Sequence, residues 1–143
     1  MRIYLDNCCF NRPFDDQGEL RVRLEAEAKL DIQRRVREEE LDLVWSYILD
    51  YESEASPFLE RQQAMKAWKN MAVCDVEEKA SILSQANRIS RKGVASKDAL
   101  HVACAMSAGC EYFVTTDDRI IKRLKTLAGI KVINPVEFVV GGK

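Results

Sequence analysis

The chain has 143 residues, of which 47% are hydrophobic and 31% charged, a composition typical of one globular domain that can bury its own core. Its formal net charge of −1 gives no overall attraction to nucleic acid or to an anionic membrane, although a local basic rim around an acidic cleft would cancel in that sum. No apolar stretch is long enough to span a membrane and the first residues lack a signal-peptide pattern, so we expect one cytoplasmic domain over residues 1–143 without a membrane partner.

Short apolar segments alternate along the chain with amphipathic ones, and the two patterns predict strands and helices respectively. In chain order they predict a strand at 2–6, a helix at 19–40, a strand at 41–46, helices at 47–56 and 58–70, a strand at 71–76, helices at 77–92 and 96–109, a strand at 110–116, a helix at 117–129 and a strand at 130–134. Strands this short and apolar suit a parallel sheet covered on both faces, so we predict a three-layer α/β sandwich.

Apolar residues at helical spacing indicate which faces of two helices point to the core. In the helix at 19–40 this stripe is formed by Leu20, Leu24, Ala28, Ile32 and Val36. In the helix at 77–92 it is formed by Ala80, Leu83, Ala86 or Asn87, and Ile89 or Ser90. Gly93 and Gly109 are expected to end the helices before them, and Ser96 to cap the helix at 96–109.

Acidic residues stand at the predicted ends of the strands, where open α/β sheets bind their ligands. Asp6 follows the first strand, Glu52 lies one or two turns beyond the second, and Asp117 follows the fourth. Singly, Asp6 could form an Asx turn, Glu52 could be a solvated helix residue, and Asp117 could cap a helix. Asp98 also could cap its helix, but that helix is apolar nearly all round, and a buried carboxylate is costly unless it is paired, hydrogen-bonded or metal-bound.

Taken together, these four carboxylates predict a metal site. Carboxylates held close to one another repel, and a cation relieves that repulsion. Oxygen ligands alone favour Mg²⁺ or Mn²⁺ over zinc or copper, and such an ion activates water for phosphodiester hydrolysis without a histidine base or a serine nucleophile. We therefore predict that Asp6, Glu52, Asp98 and Asp117 are the metal-binding and catalytic residues.

Two N-terminal stretches resemble motifs of the PIN-domain family of Mg²⁺-dependent ribonucleases, and the resemblance extends from residue 1 to about residue 138. The stretch IYLDNC is similar to the family's opening strand with its first acid, here Asp6. The stretch SYILDYE is similar to its second motif, in which a serine, here Ser46, precedes the acid Glu52 by six residues.

The most specific stretch is SKDALHVACAMSAGCEYFVTTDDRI. It is similar to the family's helix with the third acid, Asp98, followed by a strand that ends in Thr-x-Asp, here Thr115 and Asp117. The neighbouring Asp118 makes the fourth acid ambiguous, and the Thr-x-Asp register favours Asp117. The family often has Thr or Ser after its first acid; Asn7 stands there instead, and we expect its side chain to hydrogen-bond a metal-bound water.

The resemblance implies a five-stranded parallel sheet of order 3-2-1-4-5 with the acids at its carboxyl edge. It also implies hydrolysis of RNA by metal-activated water, with Mg²⁺ or Mn²⁺ as the cofactor. Many small members are VapC-type toxins, which an antitoxin holds inactive and which commonly dimerise, so the expected partners are RNA, an antitoxin protein and a second copy of the chain. The unusual run DNCCFNRPFDD leaves open a subgroup with other regulation or without an antitoxin.

One alternative from another functional class stays open, a PIN-like fold that binds RNA or protein without catalysis. Among the supporting residues, Asn7, Ser46, Thr115 and Asp118 are expected to hold the acids or the substrate. Arg12 and Lys97 are the predicted RNA contacts, although for Arg12 a solvated surface position is at least as consistent with the sequence.

The remaining residues near the motifs have structural interpretations. His101 lies three residues after Asp98, on the same side of the helix, and we interpret it as a packing or surface residue. Cys8 and Cys9 are interpreted as packing residues. Pro13 is expected to help end the turn beyond Asp6. Trp45 and Trp68 are expected in the core or at an interface.

Overall fold

A computed structural model of the protein describes residues 1–12, 15 and 17–141. Within them lie the strands β1 (Arg2–Leu5), β2 (Asp42–Ser46), β3 (Cys74–Val76), β4 (Tyr112–Val114) and β5 (Lys131–Ile133). The helices of this part of the chain are α1 (Asn7–Asn11), α2 (Leu20–Arg37), α3 (Tyr47–Ala55), α4 (Leu59–Met71), α5 (Ala80–Ser90), α6 (Ser96–Ser107), α7 (Asp118–Arg123) and α8 (Pro135–Val140). The turn predicted at Pro13 lies outside the described residues.

The five strands form one sheet in the order β3-β2-β1-β4-β5, and every neighbouring pair is parallel. This confirms the predicted α/β class and strand order. The central strand β1 pairs with β2 on one side, where Ile3 faces Leu43, and with β4 on the other, where Leu5 faces Val114. The carboxyl ends of β2, β1 and β4 are therefore neighbours along one edge of the sheet.

Aromatic side chains fill much of the core between the sheet and its helices. Phe10 of α1 packs against Trp45 of β2 and Trp68 of α4, with ring centroids 5.4 and 5.2 Å apart. Both tryptophans are fully buried in the core. Burial of rings of this size is among the larger apolar contributions to folding. Because α1 begins directly after β1, this packing also fixes the direction of the chain as it leaves the edge of the sheet.

The core face predicted for α2 is wrong at two positions. Leu20 and Leu24 are exposed, whereas Glu25 and Lys29, with 0% and 5% of their surface exposed, lie on the buried side. The inward stripe therefore includes charged residues that an apolar pattern does not select. The buried Glu25 carboxylate is compensated by charged and polar partners, which makes its burial tolerable.

The core face predicted for α5 is also rotated. Its buried residues are Ile82, Ala86 and Ile89, whereas Ala80 and Leu83 are exposed. Ala86 and Ile89 confirm their part of the prediction. The three buried residues follow the spacing i, i+4, i+7 and form one face of the helix. Ala80 and Leu83 lie outside this face.

Several helix ends differ from the sequence pattern. Ser96 is the first residue of α6 and not its cap, because the chain is still extended at Ala95, which occupies the cap position without a side-chain hydrogen bond. Gly93 and Gly109 have positive φ angles of 98° and 73° just beyond α5 and α6, as expected of glycines that follow a helix end. The short helices α1 and α8 were not predicted. No helix among the described residues has both the length and the apolar character that crossing a membrane requires.

Candidate functional site

Three polar residues stand side by side where the three middle strands end. Asp6 follows β1, Ser46 is the last residue of β2, and Thr115 follows β4. The backbone ladder continues to Asp6, whose N–H donates to the Val114 carbonyl at 2.9 Å. Strand register therefore determines that Asp6 and Thr115 are neighbours, although they are 109 positions apart in the sequence.

The Asp6 carboxylate is nearly buried and held by two donors. Its Oδ2 accepts a hydrogen bond of 2.8 Å from the Thr115 hydroxyl, and its Oδ1 accepts one of 2.8 Å from the Asn7 backbone N–H at the start of α1. The Cys8 thiol lies 3.5 Å from Oδ2 and also contacts Thr115, so Cys8 adjoins the site and is not only a packing residue. A carboxylate held in this way has little rotational freedom left to lose when it binds a ligand.

Thr115 connects Asp6 to Asp117. The Thr115 Oγ1 that donates to Asp6 accepts a hydrogen bond of 3.1 Å from the Asp117 backbone N–H. Asp117 caps α7, since its Oδ1 accepts from the backbone N–H groups of Arg119 and Ile120. The spacing Thr-x-Asp thus has a physical basis, because one hydroxyl fixes two acids at the same edge.

Asp118 lies beside this group in the sequence but is engaged elsewhere. It is exposed, and both of its carboxylate oxygens accept hydrogen bonds from the Arg21 guanidinium, at 2.7 and 2.8 Å. This pair lowers the pKa of Asp118 through the Arg21 hydrogen bonds. Of the two adjacent acids, only Asp117 is joined to Thr115 and Asp6 by the contacts described.

Glu52 is held at the site by a hydrogen-bonded chain that begins inside the sheet. Its Oε1 accepts from Nε2 of His101 at 2.7 Å, and the other ring nitrogen, Nδ1, lies 2.6 Å from the Tyr4 hydroxyl. The Tyr4 hydroxyl is in turn 2.6 Å from the Ser46 hydroxyl, which also accepts from the Leu49 N–H and so caps α3. The chain Ser46–Tyr4–His101–Glu52 is buried except at Glu52.

Within this series of hydrogen bonds, the surroundings of His101 favour the protonated form of its imidazole. Burial alone would lower the pKa of His101, but the hydrogen bond to Glu52 and the negative charges of Asp6 and Asp98 outweigh it and raise that pKa. The packing interpretation of His101 is correct in that its ring is fully buried. Its partners are Glu52 and Tyr4, however, and the sequence did not indicate either contact.

Asp98 is influenced by the charges of the other three predicted acids. It lies half-buried in the first turn of α6, and its pKa is raised by burial and by the negative charge of Asp6. His101 opposes this rise, whereas Asp117 and Glu52 add to it. Since charges affect one another in this way only at short range, all four acids contribute to a single field.

The donor chemistry of this group fits a hard divalent cation. Four carboxylates supply the oxygen ligands that Mg²⁺ and Mn²⁺ prefer, and their mutual repulsion is what such an ion would relieve. Among residues 1–12, 15 and 17–141, no three or more His, Cys, Asp or Glu side chains already form a group that could hold a metal ion. The residues therefore match the cation in ligand type and charge, whereas their present side-chain positions are not those of a completed ligand shell.

The two predicted RNA contacts differ in their surroundings. Arg12 is held by acids, since its Nε donates to Glu25 at 2.8 Å and its Nη1 to Asp15 at 2.9 Å. Lys97 is exposed, and its Nζ lies 4.0 Å from Glu52 Oε2. Lys97 therefore lies next to the acidic group, whereas the guanidinium of Arg12 compensates the charge of the buried Glu25.

Beside the acids lies a cleft, and the sequence pattern did not indicate this cleft. It has a volume of about 270 Å³ and is called here the Phe58 cleft; its lining consists of Asn7, Glu52, Ser53, Ala55, Ser56, Pro57, Phe58, Arg61 and Met65. Asn7 and Glu52 thus belong both to the acidic site and to this cleft. The only signal in the sequence was an aromatic residue directly after Pro57, followed three residues later by an arginine.

Comparisons with known proteins identify the family and the fold. The PIN domain family matches residues 3–127. Among solved structures, the crystal structure of VapBC2 from Rickettsia felis bound to a DNA fragment from their promoter is similar with a TM-score of 0.58 and 15% identity, over 94% of this chain and 98% of that chain. The structure of VapBC-1 from nontypeable Haemophilus influenzae is similar with a TM-score of 0.56 and 13% identity, again over 94% and 98%. No curated protein sequence matches the chain. Because the sequence identities are this low, the structural likeness shows a shared fold and nothing further.

Proposed function

The chain belongs to the PIN domain family, and from that premise we propose that it is a metal-dependent endoribonuclease of the VapC type, which hydrolyses RNA phosphodiester bonds. The observation that supports the proposal is the position of Asp6 and Asp117 at neighbouring strand ends, joined through Thr115, with Glu52 and Asp98 near enough for their charges to interact. Carboxylates that repel one another reduce the stability of the free protein, and a bound cation would relieve this repulsion. Such a destabilising arrangement is typical of functional sites.

The four acids are the proposed ligands of Mg²⁺ or Mn²⁺. When bound, the cation would lower the pKa of a coordinated water and stabilise negative charge on the phosphate. Thr115 orients Asp6 through its hydroxyl, and His101 orients Glu52. The Asn7 and Lys97 side chains adjoin the acids at the open side, where they would contact the substrate.

We further propose the molecular context that this assignment implies. Residues 1–143 form one PIN domain, located in the cytoplasm, that pairs with a second copy of itself and is controlled by an antitoxin protein. The support is the fold shared with two VapBC structures, one of them described as bound to a promoter DNA fragment.

A second candidate function is a PIN-fold module that binds RNA or protein without cutting it. One observation favours it: within the described part of the chain, no three potential ligands form a group that could hold a metal ion. The two candidates differ in whether the acids act on a phosphodiester bond, so a cleavage assay separates them.

The test is cleavage of a mixed RNA pool in Mg²⁺, in Mn²⁺ and in EDTA, by the wild type and by Asp6→Asn. We expect cutting in at least one metal, none in EDTA, and a rate for Asp6→Asn lower by roughly 100-fold or more, because the variant loses a charged ligand. The matched control is Glu111→Gln, which changes an exposed acid at the amino end of β4, on the opposite edge of the sheet.

The outcomes are distinct. No cutting by folded wild type in either metal would overturn the nuclease and favour the binding module. Equal cutting by the wild type and Asp6→Asn would mean that the acids described are not the active site. An equal loss of cleavage rate in Asp6→Asn and Glu111→Gln would mean that the overall charge of the protein, and not the acidic site, controls the rate.

A further inference from the structure

We propose that the Phe58 cleft and the adjoining Tyr51 side chain form a stacking subsite for unpaired bases of single-stranded RNA. The inference rests on the proposed function in taking RNA as the ligand, and it narrows that ligand to a strand whose bases are free. Glu52 joins the cleft to the acids, so a nucleotide seated there would be adjacent to the bond that is cut.

The first supporting observation is the exposure of aromatic rings beside the acids. Phe58 is 54% exposed and Tyr51 is 64% exposed, whereas the other large aromatic rings named so far are buried in the core. An exposed ring leaves apolar surface in water, and stacking with a base removes that surface. Because every base has a π-face, such rings bind single strands with little sequence preference.

The second observation is that each exposed ring has a cation next to it. The Arg61 guanidinium lies 4.7 Å from the centroid of the Phe58 ring, and Lys97 Nζ lies 5.7 Å from the centroid of the Tyr51 ring. Arg61 also lies 3.8 Å from Asp15, an arrangement that leaves part of its side chain exposed. A ring for the base and a cation for the phosphate are the two components of a single-strand groove.

The third observation is the position of these pairs around one acid. Glu52 lines the cleft with Phe58 and Arg61, and its Oε2 is 4.0 Å from Lys97. Both aromatic–cation pairs therefore adjoin Glu52, while the chain as a whole has a net charge of −1. Each cation also lies near a carboxylate, Arg61 near Asp15 and Lys97 near Glu52, so the surface offers two separate phosphate contacts and not a continuous positive patch.

A single strand fits this surface better than a duplex does. In A-form RNA the bases are paired and stacked on one another, so their faces are not available to Phe58 or Tyr51. An apolar peptide would use the rings but would gain little from Arg61 and Lys97. The two cations therefore favour unpaired RNA over an apolar protein segment as the occupant.

The test measures binding without cleavage. The probe is a 5′-fluorescein-labelled, mixed-sequence single-stranded RNA, free or annealed to its complement, and the readout is fluorescence anisotropy in EDTA and in Ca²⁺, with probe integrity checked on a gel. We expect the wild type to bind the free strand more tightly than the duplex. Phe58→Ala should weaken binding of the free strand by roughly tenfold and Tyr51→Ala by a similar or smaller factor, as base–aromatic stacking predicts.

Two further variants separate stacking from other causes. Phe58→Trp keeps an aromatic face and should retain wild-type binding. Leu59→Ala removes an adjacent apolar side chain that is 67% exposed but offers no ring, and it should bind as the wild type does. All these positions are exposed, so the variants are expected to fold, which thermal unfolding verifies.

Several results would overturn the inference: no binding of the free strand by the wild type, equal binding of strand and duplex, or unchanged binding in both Phe58→Ala and Tyr51→Ala. A loss in Leu59→Ala equal to that in Phe58→Ala would also overturn it, since that result indicates a general apolar surface such as a protein interface. Cleavage distinguishes the two proposals. If the wild type binds as expected but does not cut RNA, the nuclease fails while the subsite stands.

Discussion

His101 uses both ring nitrogens in contacts that end at Glu52. The ring is fully buried between the Tyr4 hydroxyl and the Glu52 carboxylate, at 2.6 and 2.7 Å. A carboxylate on a helix can adopt several rotamers, and the hydrogen bond from His101 selects one of them. If Glu52 is a metal ligand, His101 is therefore a positioning residue that keeps this ligand oriented before the ion arrives.

The first prediction at the residue scale concerns metal affinity. His101→Leu should weaken Mn²⁺ binding by roughly 10- to 100-fold, because Glu52 loses the partner that orients it. His101→Gln, which retains a hydrogen-bond donor, should recover part of the loss. Titration of Mn²⁺ followed by electron paramagnetic resonance measures the affinity directly and does not depend on turnover.

The control for this prediction is Tyr4→Phe, which keeps the aromatic packing of β1 and removes the hydroxyl with its contacts to His101 and Ser46. Its effect on Mn²⁺ affinity should lie between those of the wild type and His101→Leu. A folded His101→Leu protein with wild-type Mn²⁺ affinity would contradict the positioning role and leave His101 as a core residue.

Residues that follow a strand could be predicted from the sequence, and residues that depend on tertiary neighbours could not. Asp6 and Asp117 were predicted at the sheet edge because each comes at the end of a predicted strand, whereas Thr115 was assigned only through the resemblance to the Thr-x-Asp motif. The contact between Tyr4 and His101 joins positions 97 apart, and it exists only because α6 packs over β1. A single histidine three residues after an acid was visible in the sequence, but its actual partners were not.

At the scale of elements, α2 shows where an apolar pattern misleads. The charged residues Glu25 and Lys29 lie on its buried side, and Leu20 and Leu24 lie in solvent. Glu25 Oε1 accepts from Arg12, and its Oε2 accepts from Arg21 and from the Asn134 side chain. These partners come from three different parts of the chain, so their compensation of a buried charge cannot be read from the helix alone.

Short helices were missed for a related reason. The helix α1 has five residues and α8 has six, too few for a periodic pattern to develop. Their starts are nevertheless marked chemically. Asp6 caps α1, Asn134 caps α8, and Pro135 occupies the first position of α8.

The prediction at this scale concerns Lys29 of α2. Its ammonium lies 4.7 Å from the centroid of the Trp68 ring, and burial lowers its pKa to about 8 from the usual 10.5. Below pH 8 the amine is charged in both the folded and the unfolded state, and its burial costs stability. Between pH 8 and 10.5 the unfolded chain holds a proton that the folded protein has released, so the free energy of unfolding rises with pH.

Lys29→Met keeps the apolar stem and removes the charge. We expect it to raise the free energy of unfolding at pH 7 by ~1–3 kcal/mol and to remove the part of the pH dependence that Lys29 causes. Urea denaturation of both proteins at pH 7 and pH 10 measures this, and exposed Lys66→Met is the control. A destabilised Lys29→Met protein at pH 7 would indicate that the interaction with Trp68 exceeds the cost of burial.

At the scale of the whole molecule, the strand order determines the distribution of charge. The order β3-β2-β1-β4-β5 makes the ends of β1 and β4 neighbours, and this brings Asp6 and Asp117 to one edge. The fold therefore concentrates negative charge although the chain is nearly neutral. Without a cation, this concentration should reduce the stability of the folded state.

Asp98 offers a test of that cost. Its pKa is raised by burial and by the surrounding acids, so the folded protein holds this proton more tightly than the unfolded chain does. The corresponding stability is fully present below the unfolded pKa and is lost as pH rises through the folded pKa. At pH 7 in EDTA, Asp98→Asn should therefore melt higher than the wild type, by roughly 2–5 °C, and the difference should shrink towards pH 4.

Added Mg²⁺ should reverse this order. A ligand that binds only the folded protein raises its melting temperature, and the wild type should gain more than Asp98→Asn, which lacks one of the proposed ligands. Calorimetry in EDTA and in millimolar Mg²⁺ measures both effects, and Glu111→Gln serves as the control at the opposite edge. If Asp98→Asn melts lower than the wild type in EDTA, favourable charge at the start of α6 outweighs the repulsion, and Asp98 acts mainly as a helix-terminus residue. That result would favour the binding module, because the acids would then be stable without a metal ion.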